Sequence, residues 1–412
     1  MGQYALILIA GFMLVFGWAQ TSLNRNDEQA VENMVFYYEH SSAQNLANSS
    51  ARIALTRLTQ DASGFNGWID LPMFDGQSTV ILADNTSDTT LVRGFIRVTA
   101  TATVGDMTHT SVVLWKRTPF SHYAYFTNVE PLIYFITPDT LKGPVHTNGT
   151  MHISGSPVFQ GIVTSPNPWV GVGAPEFQQG ADFNHPVVTL PINLDPLIDA
   201  AQDGGAAVIL ATGKTLWLDF LSNGTVNYVV LNTGTSPGGS TTWTNFDLST
   251  INGVIGCNRD IHIKGTIHGQ FTVASKTNVY IEGDILYAND PRLGPSNDLL
   301  GIVSKQQIIV VQNAANATNC EIHASLMALD KFTVENYGGG TPRGTLSILG
   351  GVIQETRGAV GTFSGQTLVT GYKKNYQYDD RLMTMLPPFY PLTGDHVGGT
   401  AYAPGRVVSW YE

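Results

Sequence analysis

The N-terminal part of the chain has an uncharged, apolar run followed by apolar residues at helical spacing. Residues 1–24 contain no charged side chain, and the segment Tyr4–Ala19 is apolar almost throughout. From Asn26 onward, apolar residues recur at steps of three and four, as they do on one face of an α-helix. No proline interrupts residues 1–71. The pattern therefore predicts a single long helix over residues 1–62.

The predicted length of this helix limits where it can lie. At ~1.5 Å per residue, a helix of about 60 residues is roughly 90 Å long, about three times the ~30 Å thickness of the hydrocarbon layer. Either its first part sits in a membrane and the rest projects, or the whole helix packs in a bundle of identical helices. A secretory signal peptide needs a basic region before its apolar stretch, and none precedes Tyr4. We expect the stretch to be retained after removal of any basic leader.

The next segment, residues 63–130, has the alternation of β-strands. Phe95–Val104 alternates apolar and polar side chains, Gly105-Asp106 follows, and Ser111–Trp115 is again rich in β-formers. Two such runs around a short Gly-containing turn predict a β-hairpin. We expect a small β-sheet region beside the end of the helix.

A short motif recurs in the third segment, residues 131–412. It consists of an apolar residue, a Thr or Ile two positions later, a Gly two positions after that, and a final apolar residue. Copies begin at Val145, Ile261, Val279 and Leu346, and a looser copy without the Gly begins at Ile322. The intervals of 18 residues between 261 and 279 and 24 between 322 and 346 suit one coil of a β-solenoid per copy. We therefore predict an α+β protein, a long N-terminal α-helix followed by a mainly β region that is a β-solenoid; a β-sandwich is the alternative.

The charge and the cysteine content of the chain argue against several classes of function. A chain of 412 residues exceeds the usual size of one domain, and only 13% of its residues are charged. Its net charge of -11, without a basic patch, argues against binding to nucleic acid. No Cys-x-x-Cys-His motif occurs, which excludes covalently attached haem. The only cysteines, Cys257 and Cys320, leave two alternatives for an exported chain, one disulfide or two buried thiols.

Four histidines raise the question of a metal site. His146 and His152 flank one motif copy, and His262 and His268 flank another. Stacked coils could bring the four imidazoles together, but six residues of strand span about 20 Å, too far for the histidines of one copy to share an ion. We expect these side chains to form hydrogen bonds along the surface, with no metal and no cofactor.

Acidic residues are spaced at four-residue intervals near the middle of the chain. Asp195, Asp199 and Asp203 surround Pro196 and precede Gly204-Gly205. Proline at the start and glycine at the end are typical of a short capped helix, with Asp195 as the N-cap. Paired acids of a glycan-active enzyme are the alternative. We predict that the protein is not an enzyme.

The N-terminal pattern resembles that of the type IV pilin and pseudopilin superfamily. The resemblance rests on the uncharged run Tyr4–Ala19, the amphipathic helix to about Asp61 and the β-rich region that follows. It implies a leader removed by a dedicated peptidase, helices bundled into a filament core, and β-domains facing outward. Such pilins usually carry Glu at the fifth mature position, whereas this chain has Ala5; in this it resembles minor pilins, as does the opening segment Gly2–Ile9.

A second resemblance concerns the β-rich region. Four segments are similar to a family of uncharacterised bacterial surface proteins with pilin-like N-termini, namely Gly143–Gly149, Ala324–Ala328, Gly350–Gly361 and Tyr376–Arg381. This family supplies no known activity.

These observations favour a structural subunit of an extracellular, type IV pilus-like filament on the bacterial cell surface. Its expected partners are further copies of itself, the pilus assembly machinery, the inner membrane before assembly, and surface glycans. A membrane-anchored adhesin or carbohydrate-binding module is the alternative, with a glycan-active enzyme behind it. The residues expected to form the assembly helix are Tyr4, Leu6, Leu8, Phe12, Val15, Phe16, Val31, Met34, Val35, Leu46, Leu55 and Leu58.

Overall fold

The chain divides into two units whose limits differ from the three predicted segments. The computed structural model describes residues 2–61, 64–137, 139–365, 367–395 and 402–412. Unit 1 comprises Met1–Thr59, Phe65–Lys116 and Gly405–Glu412, and unit 2 comprises Gln60–Gly64 and Arg117–Pro404. The predicted boundaries at 62 and 130 do not coincide with the limits of these units. The helix and the small sheet form one unit, which ends near 116 and includes the last residues of the chain.

The helices are α1 (Gly2–Gln60) and α2 (Asp195–Gln202), and short 3₁₀ turns lie at Phe120–His122, Leu248–Thr250 and Asp380–Met383. The strands are β1 (Trp68–Met73), β2 (Gly76–Ala83), β3 (Phe95–Val104), β4 (Met107–Arg117), β5 (Tyr125–Val129), β6 (Tyr134–Ile136), β7 (Thr140–Leu141), β8 (Val145–Thr147), β9 (His152–Gly155), β10 (Val158–Phe159), β11 (Val163–Thr164), β12 (Val170–Gly173), β13 (Glu176–Phe177), β14 (Ala181–Asp182), β15 (Ala206–Val208), β16 (Lys214–Phe220), β17 (Thr225–Asn232), β18 (Thr244–Asp247), β19 (Val254–Cys257), β20 (Ile261–Ile267), β21 (Gln270–Ser275), β22 (Val279–Tyr287), β23 (Leu299–Ser304), β24 (Ile308–Val310), β25 (Cys320–Ala328), β26 (Phe332–Val334), β27 (Pro342–Thr356), β28 (Gly361–Ser364), β29 (Thr367–Gln377) and β30 (Gly405–Tyr411). A long N-terminal helix followed by a mainly β region is thus confirmed.

Unit 1 consists of α1 and a sheet in the order β1-β2-β3-β4-β30. The strands β1 to β4 are antiparallel neighbours. The predicted hairpin is confirmed, since β3 and β4 pair from Phe95 opposite Lys116 to Val104 opposite Met107. Gly105 in its turn has φ +54°, a conformation that glycine adopts without steric cost.

The second half of α1 packs on this sheet. Its buried residues are mostly small, namely Ala43, Leu46, Ala47, Ser50, Ala51, Ala54 and Leu58. They contact the inward-facing side chains of β3 and β4, among them Val98, Val113 and Trp115. Small helical side chains allow the backbone of α1 to approach the sheet closely. The core of unit 1 therefore lies only along residues 43–58 of the helix.

The first part of unit 2 contains three sets of parallel strands with one common interval. His152 pairs with Tyr134 on one side and Val170 on the other, each 18 residues away. The same interval separates the partners of β10, which are β7 and β13, and the partners of β11, which are β8 and β14. Each stretch of 18 residues thus contributes one strand to each of three parallel ladders.

Parallel ladders continue through the second part of unit 2, with longer loops between strands. Ile261 pairs with Val279, Val279 with Ile308 and Ile308 with Phe332. These four side chains are buried within one core cluster. The motif copies at 261 and 279 thus lie side by side on adjacent parallel strands.

The copies that begin at Ile322 and Leu346 also lie on adjacent parallel strands, with an offset of two residues between their first positions. Ile322 pairs with Ile348, and Leu346 pairs with Cys320. Side chains alternate between the two faces of a strand, so a shift of two residues leaves the same residues in the core. The apolar pattern alone cannot distinguish these two registers.

The predicted capped helix is present as α2, although its first residue differs. Leu194 is the N-cap and makes no side-chain capping bond, while Asp195 lies in the first turn. The Asp195 carboxylate pairs with the Lys276 ammonium at 2.7 Å. The prediction of Asp195 as N-cap was therefore wrong by one position.

Candidate assembly surface

The first part of α1 exposes its apolar side chains on every side. The described segment includes a window with a mean hydropathy of 1.8, of which none is buried. Leu8 is 62% exposed, Val15 64% and Trp18 76%. A helix that is apolar all round is stable only in lipid or among other apolar surfaces. This segment therefore requires a partner or a membrane.

The length of the apolar segment suits a membrane. The helix is long and apolar enough to cross a bilayer by length and composition. Residues 2–24, which carry no charge, extend over about 34 Å at ~1.5 Å per residue, slightly more than the ~30 Å hydrocarbon layer. A Cβ atom added at Gly11 or Gly17 would meet nothing within 4 Å. Both glycines are thus open to close approach by another helix.

Beyond the uncharged run, the next part of α1 mixes charged and apolar side chains. Arg25 and three acidic residues begin this part. Val31, Met34 and Val35, all in the predicted assembly set, are exposed in the structure. The Tyr38 hydroxyl donates a hydrogen bond to the Asp75 carboxylate at 2.7 Å, which anchors the helix to the β1–β2 turn. The exposed apolar surface thus extends to Tyr38, and the first buried residue of the helix is Ala43.

Three residues of the predicted assembly set pack in the core of unit 1. Leu46 and Leu58 are buried and Leu55 is half-buried against the sheet of unit 1. Apolar side chains at helical spacing look the same in sequence whether they face their own sheet or another molecule. We therefore correct the candidate surface, defined as the assembly surface, to the exposed members of the set: Tyr4, Leu6, Leu8, Phe12, Val15, Phe16, Val31, Met34 and Val35.

A polar network that the sequence did not indicate fastens the end of the chain to α1. The Asn48 side-chain oxygen accepts hydrogen bonds from Ser111 Oγ at 2.7 Å and from Trp410 Nε1 at 3.2 Å. The Asn48 amide nitrogen donates to the Glu412 carboxylate at 2.9 Å, as does that of Gln44 at 2.8 Å. The contacts to Trp410 and Glu412 join residues more than 360 positions apart, so no local pattern could reveal them.

The four candidate histidines lie in separate environments. His146 Nδ1 lies 2.8 Å from Thr164 Oγ1 and Nε2 lies 2.9 Å from Asn148 Oδ1, and burial lowers the pKa of this imidazole to about 4. His152 packs against Tyr134, His262 lies between Trp217 and Tyr280, and His268 lies beside Asp298. Among the described residues, no group of three or more His, Cys, Asp or Glu side chains could hold a metal ion.

The two cysteines are buried thiols, which was the second of the two alternatives for them. Cys257 and Cys320 are free and buried. Burial raises the pKa of the Cys257 thiol to about 11 and that of the Cys320 thiol to about 12. Both side chains belong to the apolar core of unit 2, so the disulfide is not formed.

Comparisons with known proteins find a match to a family model and similarity to solved structures. Residues 94–167 match a family described as a domain of unknown function (DUF4900). No curated protein matches the chain. Among solved structures, the chain is similar to the competence-associated pilin ComZ from Thermus thermophilus, with 11% sequence identity and a TM-score of 0.34, over 91% of this chain and 96% of that one.

Proposed function

We propose that this protein is a structural subunit of an extracellular, type IV pilus-like filament on a bacterial cell surface. The observation that carries the proposal is the assembly surface, which leaves every large apolar side chain of residues 4–18 exposed. In a filament these side chains pack among the equivalent helices of neighbouring copies. Head-to-tail contacts between identical subunits that do not close into a ring produce a helical polymer.

Before assembly, the same helix resides in the inner membrane. Transfer from lipid to a bundle of apolar helices exposes no apolar area to water, so the hydrophobic contribution changes little. Close packing of the helices and the pilus assembly machinery then set the direction of transfer. This route requires neither a cofactor nor an enzymatic activity of the subunit.

The apolar surface extends further than a simple anchor needs. About 20 apolar residues suffice to span a bilayer, but Val31, Met34 and Val35 continue the exposed surface past the charged residues. Their exposure favours a subunit that packs against other helices. A monomeric, membrane-anchored adhesin or carbohydrate-binding module would not need this additional apolar surface. The filament is therefore our first hypothesis.

Unit 2 supplies the outward-facing part of the subunit, and we propose that it is a β-solenoid. The parallel ladders at a constant interval of 18 residues over 134–182 support this architecture. A β-sandwich is built from antiparallel sheets, so its strands would pair in the opposite direction. In a filament, the long sides of such a solenoid would be the surface available to glycans or other cells.

The test is cryo-electron microscopy of material sheared from producing cells. We expect density for this chain to repeat helically, with residues 2–38 in the core and the β-rich units outside. Detection of the chain only as single copies in membrane fractions would overturn the proposal and direct attention to glycan binding by unit 2.

A further inference from the structure

Unit 2 contains a cavity where one long strand changes partners. The first half of β27 pairs with β29, and its last residues, from Val352 on, pair with β5. Between these diverging partners lies a cavity of about 370 Å³, lined by residues of β5, β6, β7, β28 and β29. This volume is at the small end of the range for pockets that hold organic ligands, roughly 300–1,000 Å³.

The walls of the cavity are largely aromatic and aliphatic. Five aromatic side chains line it, namely Tyr125, Tyr134, Phe135, Phe363 and Tyr376. Leu141 and Val360, both buried, complete the apolar part of the wall. Flat rings around a space of this size favour a ligand with a flat apolar body.

A fully buried ion pair lies behind one wall. Arg357 Nη1 lies 3.3 Å from Glu130 Oε2, and both side chains are almost completely buried. The guanidinium carbon of Arg357 lies 3.9 Å from the ring centre of Phe135. Two further nitrogens of Arg357, Nε and Nη2, are buried without a hydrogen-bond partner among the described residues. Glu130 thus balances the charge of Arg357, while two donors remain unused.

The lysine in the cavity wall has no such balance. Lys374 is half-buried and lines the cavity beside Lys373. In the part of the chain that the structure describes, no hydrogen bond or ion pair to its ammonium is found. The Asp139 carboxylate also lines the cavity and accepts a hydrogen bond from the backbone N–H of Ile136 at 2.9 Å, but among the described residues it makes no ion pair with Lys374. A buried charge without a partner costs free energy, and an anion would remove that cost.

We propose that this cavity binds a small organic anion with a flat aromatic body, whose carboxylate or sulfonate group pairs with Lys374. The rings of the wall pack on the body of the ligand, and the ammonium supplies the charge that fixes its orientation. This inference concerns unit 2 alone and does not depend on filament assembly.

The titration of Lys374 agrees with this role. Burial, and next the charge of Arg357, lower the pKa of Lys374 to about 8, against smaller opposing effects of Asp139 and Glu130. Burial also raises the pKa of Tyr125 and of Tyr376, so both phenols stay neutral. Lys373 is the other cation in the wall. Anion binding is therefore expected to weaken as the pH rises from 7 through 8 to 9.5, because the ammonium is lost.

The experiment compares two probes that differ in charge. Equilibrium dialysis of the full chain in neutral detergent micelles would measure binding of 2-naphthoate and of 2-naphthalenemethanol, with protein-free micelles as the blank. The variants are Lys374→Met, which removes the charge, Lys374→Arg, which keeps it, and Ile136→Trp, which fills the half-buried edge of the cavity. Lys331→Met, at another half-buried lysine, is the matched control.

We expect saturable binding of 2-naphthoate at least about tenfold tighter than that of the alcohol, because the carboxylate pairs with the ammonium of Lys374 and the neutral alcohol does not. Lys374→Met should abolish this preference, and Lys374→Arg and Lys331→Met should retain it. Ile136→Trp should weaken both probes. Equal affinity for the two probes, no saturable binding of 2-naphthoate, unchanged binding to Lys374→Met, or unchanged binding to Ile136→Trp would each overturn the proposal. The comparison of probes on the unmodified chain needs no variant and stays decisive if one fails to fold.

Discussion

The side-chain oxygen of Asn48 accepts a hydrogen bond from the indole nitrogen of Trp410 at 3.2 Å, across 362 positions of sequence. The contact joins the middle of α1 to the last strand of the chain. Asn48 also accepts from Ser111 on β4, so one amide links the helix to two neighbouring strands. The long helix and the end of the chain are thereby parts of the same unit.

Replacement of this amide should destabilise unit 1. Asn48→Ala leaves the Ser111 hydroxyl and the Trp410 indole without their acceptor, which costs about 1–3 kcal/mol. Chemical denaturation followed by tryptophan fluorescence would measure the change in the free energy of unfolding. Asn45→Ala on the same helix is the matched control, because Asn45 is exposed and the gain in helix propensity is equal. Equal stability of the two variants would contradict the role assigned to Asn48.

Charge in the assembly surface should block filament formation. Leu8→Asp or Val15→Asp places a carboxylate where the helix needs lipid or apolar neighbours, at a cost of about 2.5–3.5 kcal/mol at the centre of a membrane helix. We expect filaments to disappear from electron micrographs of the producing cells while the chain is still detected by immunoblot. Leu293→Asp is the control, since Leu293 is 89% exposed on unit 2 and should tolerate a charge. Normal filaments from Leu8→Asp would refute the assembly surface.

The buried histidine should make unit 2 sensitive to acid. Because burial lowers the pKa of His146 from 6.5 to about 4, the unfolded chain binds the proton more tightly than the folded chain between these values. Stability is therefore complete above pH 6.5 and falls as the pH drops toward 4, by on the order of 3 kcal/mol.

Thermal unfolding of the protein and of His146→Gln at pH 7, 5.5 and 4 would measure this effect. The variant should be less stable at pH 7 but should lose less stability on acidification than the unmodified protein. His152→Gln, at a half-buried histidine six residues further along the chain, should keep the original pH dependence. Parallel curves for His146→Gln and the unmodified protein would show that this imidazole does not titrate as described.

The thiols should be inert in the folded protein. Burial raises the pKa of Cys257 to about 11 and that of Cys320 to about 12, so neither forms the reactive thiolate at pH 8. We expect no reaction with a water-soluble disulfide reagent until denaturant is added, and then two equivalents. Mass spectrometry of the unreduced chain should show both thiols. Rapid labelling of the native protein, or a mass lower by two protons, would contradict this expectation.

The sequence predicted those features that depend on local pattern. The apolar run of α1 and the β3–β4 hairpin follow from spacing over ten to twenty residues, and the structure has both. The sequence did not show that Leu46 and Leu58 pack against the sheet of unit 1. An apolar helical face has the same pattern whether it packs on its own sheet or on a neighbouring molecule. Pattern alone identifies that a side chain needs a partner and says nothing of which partner it meets.

Relationships between distant residues were beyond local inference. The apolar pattern left the register at Ile322 open, because a shift of two residues keeps every side chain on the same face of the strand. Lys374, Arg357 and Glu130 meet only after the chain has folded back on β27, and each is an ordinary charged residue in its own segment. The candidate cavity therefore had no sequence signal at all.

The backbone N–H of Thr118 donates to the carbonyl oxygen of Pro404 at 2.8 Å, so the two ends of the main segment of unit 2, Arg117–Pro404, are adjacent. Because these ends lie close together, the length of this segment does not alter the distance that unit 1 must bridge. We therefore expect insertions or deletions within this segment to leave α1 and its sheet unchanged. The same junction offers a site at which an unrelated folded cargo could be displayed.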